Sequence, residues 1–135
     1  TEVVALGHLG ETFWAQGKKM DAKLFLENAI RLGDASYPAP AAVFRGSLAY
    51  IRAQQGEFDA ARTLLDEAEK KTVGYEQNRG QIICHRGLVE TVAGNMFAAL
   101  NALKDAKKIA LKLGTSAGFA LNGSIEELTS TKGTV

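Results

Sequence analysis

The residues of this sequence that come closest to a catalytic or metal-binding pattern are His8, Glu11, Cys84 and His85. Cys84 and His85 are adjacent, and neighbours on a helix point about 100° apart, so they do not form a pair of nucleophile and base. His8 with Cys84 or His85 lacks the close ligand spacing of a typical metal site. We therefore expect no catalytic residue, no metal and no cofactor. An enzyme site that combines His8, Glu11 and His85 is the weaker alternative.

Length, charge and cysteine content favour one cytoplasmic domain with no nucleic-acid or membrane partner. The 135 residues carry 16 basic and 15 acidic side chains, a formal net charge of +1, which gives no basic field for a nucleic acid or a membrane surface. No apolar run reaches the roughly 20 residues that a membrane helix needs. The single cysteine cannot form an internal disulfide, which favours a reducing compartment.

The elements that must position these residues are predicted to be helices. Both prolines, Pro38 and Pro40, lie together between two long segments rich in Ala, Leu, Glu, Lys and Arg. No turn dipeptide lies between two alternating apolar runs, so the signals for strands are poor. This pattern predicts an all-α fold with a helix junction near the prolines.

A motif of small residues occurs three times along the chain. Each copy has a glycine, an alanine five positions later and another alanine seven positions after that; the copies begin at Gly17, Gly56 and Gly94. The glycine predicts the end of one helix, because it adopts a left-handed φ at little cost. The alanines predict a second helix that crosses the first closely. Since one such hairpin cannot bury its apolar side alone, we expect the copies to stack.

The three copies resemble the tetratricopeptide repeat family. The resemblance covers residues 3–113 and rests, copy by copy, on Leu9-Gly10, Phe13, Gly17, Ala22, Leu26 and Ala29, on Leu48-Ala49, Gly56, Ala61, Leu65 and Ala68, and on Gly87, Gly94, Ala99, Leu103 and Ala106. It implies a right-handed superhelix of three helical hairpins in a single domain of residues 1–135, with repeats at about 3–36, 42–75 and 80–113 and a capping helix at about 116–130. The copies are longer than the family's usual repeat of about 34 residues, as in lengthened variants from bacterial regulatory proteins.

The pattern predicts seven helices. Their bounds are about Val3–Gln16, Met20–Leu32, Ala39–Gln55, Phe58–Thr72, Tyr75–Ala93, Met96–Leu113 and Ser116–Ser130. In the last helix Phe119, Leu121, Ile125 and Leu128 form one apolar edge, which we expect to cover the third repeat.

In the family, the first helix of each repeat lines a concave groove, so the resemblance implies that partner-binding residues lie there. They are His8, Glu11, Trp14, Ser47, Tyr50, Gln54, Gln81, Cys84, His85 and Leu88. The lysines and asparagines with which some members hold a terminal carboxylate are absent. Trp14 has packing within the first hairpin as an alternative, whereas Tyr50 favours the groove, because aromatic side chains are common anchors at interfaces.

Four charged residues stand where the family has large apolar side chains, namely Arg45, Arg52, Arg86 and Glu90. We expect the last three to form a partly buried network between the second and third repeats.

The resemblance predicts a non-catalytic protein–protein interaction scaffold that binds a peptide or helical segment of a partner protein in the groove. One alternative is a regulatory or sensory segment of a larger bacterial regulator or kinase, which the start at Thr1 rather than Met favours. A homodimer through an exposed terminal repeat is a further expectation, because the ends of a solenoid expose apolar edges unless they are capped.

Overall fold

Seven α-helices and no strand make up the part of the chain that the computed structural model describes, residues 2–133. The side chains of residues 115–120 and 131–133 lie outside this description. The helices are α1 (Glu2–Ala15), α2 (Lys19–Ser36), α3 (Pro38–Gln54), α4 (Phe58–Lys71), α5 (Glu76–Val92), α6 (Met96–Leu113) and α7 (Thr115–Gly133). The predicted all-α class is confirmed.

Each odd-numbered helix contacts its odd-numbered neighbours and the even-numbered helices next to it in the chain. α1 packs on α2, α3 on α4 and α5 on α6, while α1, α3, α5 and α7 contact one another in chain order. Apolar side chains fill the spaces between the helices in three clusters, which contain Leu26, Leu65 and Leu103. Each of these leucines stands nine positions after a motif glycine, so the clusters follow the spacing of the sequence motif.

The three motif glycines end α1, α3 and α5 in the same way. Gly17, Gly56 and Gly94 have φ values of 79°, 82° and 81°, in the left-handed region that favours glycine. The residue after each glycine donates its backbone N–H to a carbonyl five positions earlier, over 2.8 to 2.9 Å. These bonds satisfy carbonyls that the helix end leaves without an intrahelical partner. The predicted turns are confirmed at all three positions.

Small residues lie where helices approach closely. A Cβ atom added at Gly10 would lie 2.8 Å from Leu26 Cγ, and one added at Gly87 would lie 3.3 Å from Ala102 Cβ. The first alanine of each motif is at most 1% exposed; these are Ala22, Ala61 and Ala99. Larger side chains at these positions would push the helices apart.

Predicted and observed helix ends agree within one residue, except at the C-termini of α2 and α7. α2 continues to Ser36, past the predicted end at Leu32. Gly33 lies inside this helix because it packs against α3: a Cβ atom added there would lie 2.7 Å from Ala41 Cβ. α7 ends at Gly133 rather than at Ser130.

The predicted network of Arg52, Arg86 and Glu90 is wrong. The three side chains belong to separate ion pairs. Arg52 pairs with Glu57 at 2.9 Å, Arg86 with Asp66 at 2.8 Å and Glu90 with Arg62 at 2.8 Å, each measured from nitrogen to carboxylate oxygen. The reason is that α4 contacts both α3 and α5, so each charged residue meets an opposite charge on α4 or at its N-terminus.

Arg45 is a buried arginine held at the contact between α2 and α3. Its Nη1 and Nη2 donate to the two carboxylate oxygens of Asp34, over 2.6 Å each. The Arg45 side chain is 9% exposed, and Glu67 Oε2 lies 3.5 Å from its Nε. The hydrogen bonds from Arg45 lower the pKa of the Asp34 carboxyl below its usual value. This pair therefore fixes α2 against α3.

Arg45 lies in a cleft of about 730 Å³ between α2, α3 and α4, which we call the arginine cleft. Its charged lining residues are Glu27, Arg31, Asp34, Arg45, Arg52 and Glu67. Arg52 Nη2 lies 3.7 Å from Glu27 Oε1, and Arg52 Nη1 lies 2.9 Å from Glu57 Oε2. Positive and negative side chains thus balance one another across this cleft.

α7 packs on α5 and α6 through the apolar edge that the sequence predicts. Leu121, Ile125 and Leu128 are buried in the same cluster as Leu103. A Cβ atom added at Gly87 would lie 2.6 Å from Leu128 Cδ2, so the missing side chain of Gly87 leaves room for this leucine. The fourth predicted residue, Phe119, lies outside the described side chains.

Candidate functional site

The odd-numbered helices line two neighbouring cavities, which together we call the groove. The aromatic cavity has a volume of about 180 Å³, and the polar cavity has a volume of about 310 Å³. Glu11, His85 and Glu127 line both cavities, so the two adjoin each other. The groove therefore receives side chains from the first helix, the last helix and the two odd-numbered helices between them.

The aromatic cavity contains two aromatic side chains and two carboxylates. Its lining residues are Glu11, Trp14, Ser47, Tyr50, Ile51, His85 and Glu127. Trp14 also packs against the apolar cluster around Leu26, so its two expected roles, packing and groove lining, occur together. Burial, and then the negative charge of Glu127, raise the pKa of the Tyr50 hydroxyl.

The polar cavity continues the groove towards the N-termini of α3 and α5. Among its lining residues are Val4, His8, Asn78, Gln81 and Ser124. Apart from the shared carboxylates, these are histidine, amide, hydroxyl and apolar side chains, and no lysine or arginine stands among the described residues that line either cavity.

Glu11 joins α1 to α3 across the groove. Ser47 Oγ donates a hydrogen bond to Glu11 Oε2 over 2.8 Å. The other carboxylate oxygen, Oε1, lies 3.1 Å from Nδ1 of His8, one turn earlier on α1. These contacts hold the carboxylate at the junction of the two cavities.

His85 reaches the groove because Gly46 lets its ring approach the backbone of α3. A Cβ atom added at Gly46 would lie 2.5 Å from His85 Nδ1, closer than two such atoms can approach. Burial lowers the pKa of His85, and the negative charge of Glu11 opposes this shift in part. The imidazole is therefore neutral at neutral pH and adds no positive charge to the groove.

Seven of the ten predicted site residues line these cavities. They are His8, Glu11, Trp14, Ser47, Tyr50, Gln81 and His85. The prediction is wrong for Cys84 and Leu88, which are 2% and 3% exposed and lie in the apolar cluster of α5, α6 and α7. Cys84 is one position from His85, about 100° around the helix, and its side chain packs into this cluster rather than lining a cavity. Gln54 is exposed and lines neither cavity.

The sequence interpretation missed both groove residues that α7 supplies, Ser124 and Glu127. The repeat spacing contains the signal that identifies them. Gly133 follows Gly94 at the same distance along the chain as Gly56 follows Gly17. Ser124 and Glu127 stand nine and six positions before Gly133, just as the groove residues His8 and Glu11 stand before Gly17. α7 thus occupies the position of a fourth odd-numbered helix, and it extends the groove as well as covering α5 and α6.

Neither a metal site nor a membrane span is found among the described residues. No three His, Cys, Asp or Glu side chains among them are grouped so that they could hold a metal ion. None of the helices, over the described residues, combines the length and the apolar character needed to cross a membrane.

Comparison of the chain with protein-family models, with curated proteins and with solved structures found no match. The function must therefore be argued from the groove itself.

Proposed function

We propose that this chain is a tetratricopeptide-like helical repeat that binds a peptide or helical segment of a partner protein in the groove, without catalysing a reaction. The observation that carries the proposal is that repeat-equivalent side chains line the two adjoining cavities of the groove. His8, Ser47, His85 and Ser124 stand at equivalent positions of four helices, and all of them line the two cavities.

The proposal includes the right-handed superhelix of three helical hairpins that the family resemblance implies. The recurring turns at Gly17, Gly56 and Gly94 support it, because each one joins an odd-numbered helix to the even-numbered helix that packs on it. Contacts between successive odd-numbered helices are also those that a stack of hairpins needs.

The groove extends over four helices. The aromatic cavity, about 180 Å³, adjoins the polar cavity of about 310 Å³ along the same helices. Two adjoining spaces of this size suit successive side chains of one bound segment.

A second candidate is that the groove is the sensory part of a larger bacterial regulator or kinase. The long spacing between the motif glycines supports it, because the resemblance is to the lengthened variants found in such proteins. A cytoplasmic location belongs to both candidates, since the free thiol of Cys84 suits a reducing compartment. In both, the groove binds a protein segment, so one experiment tests them together.

The experiment selects groove-binding peptides from a random dodecapeptide phage library on the immobilised chain. Binding of the selected peptides is then measured through the fluorescence of the chain's one tryptophan, Trp14, which lines the aromatic cavity. Tyr50→Ala should weaken binding about tenfold, because it removes an aromatic anchor, while costing only about 1 kcal/mol of unfolding free energy. Tyr75→Ala, which removes an exposed tyrosine outside the groove, is the matched control and should bind like the original chain.

Ala61→Leu should show the opposite behaviour. Ala61 is fully buried between helices, so the larger side chain should cost about 1 to 3 kcal/mol of unfolding free energy by overpacking. Ala60→Leu places the same side chain at the adjacent exposed position and should have little effect. Equal losses of stability in Tyr50→Ala and Ala61→Leu, or equal binding by Tyr50→Ala and Tyr75→Ala, would contradict the proposal.

A further inference from the structure

We propose that the outer face of the first helical hairpin binds a second copy of the chain, in a two-fold symmetric dimer whose two α1 helices run antiparallel. The proposal concerns a surface outside the groove and does not depend on the proposed function. We call this surface the terminal face. Its apolar side chains are Leu6, Leu9, Phe13, Leu24 and Phe25.

The terminal face is the repeat equivalent of one side of the arginine cleft. Its residues precede five cleft residues at the distance along the chain that separates Gly17 from Gly56; these are Arg45, Leu48, Arg52, Thr63 and Leu64. All five line the cleft, in which α2 supplies the opposite side. In the described part of the chain only α2 and α3 contact α1, so no preceding helix lies on the terminal face.

The equivalent positions differ in the kind of partner that they require. In the cleft, Arg45 and Arg52 pair with carboxylates of the same chain. The terminal face has Leu6 and Phe13 at these positions. A buried arginine requires an acidic partner, whereas leucine and phenylalanine require an apolar one. The terminal face therefore suits a surface as apolar as itself, which a second copy supplies.

The apolar side chains of the terminal face are open to solvent. Leu9 and Leu24 are 45% and 55% exposed, and Leu6, Phe13 and Phe25 are partly exposed around them. The ring centres of Phe13 and Phe25 lie 5.1 Å apart, so α1 and α2 contribute to one patch. Contiguous apolar patches of this kind mark sites of interaction.

Antiparallel packing of two α1 helices matches the sizes of the side chains along this face. Ala5, Leu9 and Phe13 lie on one side of α1, because they are spaced four positions apart. With Leu9 on the two-fold axis, Ala5 of each copy meets Phe13 of the other. A large ring then packs against a small side chain on both sides of the axis.

The charges at the two ends of α1 are complementary in the same arrangement. Glu2 begins α1 and is exposed. Lys18 and Lys19 follow the other end and outnumber Asp21 there, and Lys18 Nζ lies 5.5 Å from the centre of the Phe13 ring. Antiparallel helices bring Glu2 of each copy near Lys18 of the other, whereas parallel helices would place like charges together. Charge therefore favours a second copy in the antiparallel orientation.

Sedimentation equilibrium over micromolar to millimolar concentrations of the chain tests the proposal. The face is smaller than the roughly 20 to 30 residues a side of a standard interface, so the dimer should dissociate in the micromolar range. Leu9→Lys should weaken dimerisation at least about tenfold, because it places two positive charges together on the axis. Leu111→Lys changes an apolar side chain of α6 that is 84% exposed, and this matched control should dimerise like the original chain.

Exchange of the end charges tests the antiparallel arrangement. Glu2→Lys and Lys18→Glu should each weaken dimerisation about threefold at low salt, because each places like charges together at both ends of the contact. An equal mixture of the two variants should dimerise like the original chain, since opposite charges meet at both ends of a mixed dimer.

A cysteine on the axis gives a test that does not depend on the stability of Leu9→Lys. Oxidation with copper phenanthroline should link two copies of Leu9→Cys by a disulfide, because the two introduced thiols meet on the axis. Leu111→Cys, the control for random collisions, should be linked far more slowly. The native Cys84 is buried and does not compete.

Each contrary outcome overturns a stated part of the proposal. A chain that remains monomeric at the highest concentration would overturn the dimer and assign the terminal face to a different partner. Dimerisation of Leu9→Lys equal to that of the original chain, or equal linkage of Leu9→Cys and Leu111→Cys, would show that the copies meet through another surface. A mixture of the charge variants that dimerises no better than either variant alone would overturn the antiparallel arrangement.

Discussion

The groove and the arginine cleft lie on opposite sides of α3, and they use charge differently. α3 contributes Ser47 and Tyr50 to the groove and Arg45 and Arg52 to the cleft. Because residues 45 and 47 are two positions apart, their side chains point about 200° apart around the helix. Neighbouring residues of α3 therefore line the two different surfaces. In the cleft, Arg45 and Arg52 are paired with carboxylates of the same chain. In the groove, the carboxylates of Glu11 and Glu127 line the aromatic cavity, whose described lining residues include no lysine or arginine.

This difference separates charges that hold helices together from charges that line the groove. A buried arginine without a carboxylate would carry a large desolvation penalty, so Arg45 and Asp34 hold α2 and α3 together as a pair. Glu11 is partly exposed and bound to a hydroxyl and an imidazole, so its removal should cost the fold little. Residues of the cleft and the core should therefore affect stability, and residues of the groove should affect binding.

The largest expected effect concerns the reactivity of Cys84, which is next to the groove residue His85 but lies on the packed side of α5. Burial, with the charge of Glu127, raises the pKa of Cys84 from 9.0 to about 12. At mildly alkaline pH the thiolate fraction is then about a thousandfold lower than for an ordinary thiol. Alkylation of Cys84 by iodoacetamide should therefore be at least about a thousandfold slower in the native chain than in urea. A native rate close to that in urea would mean that Cys84 faces the groove.

The next largest effect is the loss of the Arg45 partner. Asp34→Ala should lower the free energy of unfolding by about 2 kcal/mol, because it removes two hydrogen bonds to a buried guanidinium and leaves Arg45 with only the more distant Glu67. Urea unfolding measures the change. Glu76→Ala, which removes an exposed pair with Arg79, should cost less than about 0.5 kcal/mol. Similar losses in the two variants would show that the cleft pair stabilises no more than a surface pair.

A smaller effect is expected on the acid side of the stability profile. Because the folded-state pKa of Asp34 is below its usual value of 3.8, its contribution to stability is present above that pH. The contribution is lost as the pH falls below 3.8 through the lower folded-state pKa. Asp34→Asn should therefore flatten the dependence of unfolding free energy on pH in this acid range, whereas Asp105→Asn, on the exposed side of α6, should not. A profile unchanged by Asp34→Asn would contradict the assignment.

Most of the fold could be predicted from the sequence, because its signals are local. Gly17, Gly56 and Gly94 end helices through their own backbone conformation, and helix bounds follow from them within one residue at most ends. Gly33 was the exception, since its role depends on Ala41 of the next helix and not on its own turn. Unlike Gly10 and Gly87, Gly33 has no repeat position that marks it as lying inside a helix.

The site was predicted less completely, because it depends on which side of a helix faces which neighbour. Cys84 was expected in the groove and lies in the core, a difference of one position around α5. Ion pairs could not be assigned either, since Arg86 finds Asp66 across the contact between α4 and α5, and no spacing within one helix shows that. Glu127 could have been predicted from the sequence, because it follows Leu88 at the same distance along the chain as Gly56 follows Gly17.

The most direct test of the central claim is a map of backbone amide chemical shifts on adding a library-selected peptide to the isotopically labelled chain. The claim is that the groove of the odd-numbered helices is the binding surface. It predicts shift changes concentrated around Glu11, Ser47, His85 and Ser124, together with the indole N–H of Trp14. Changes concentrated around Glu27, Thr63 and Glu67 of the arginine cleft, with the groove unaffected, would contradict it.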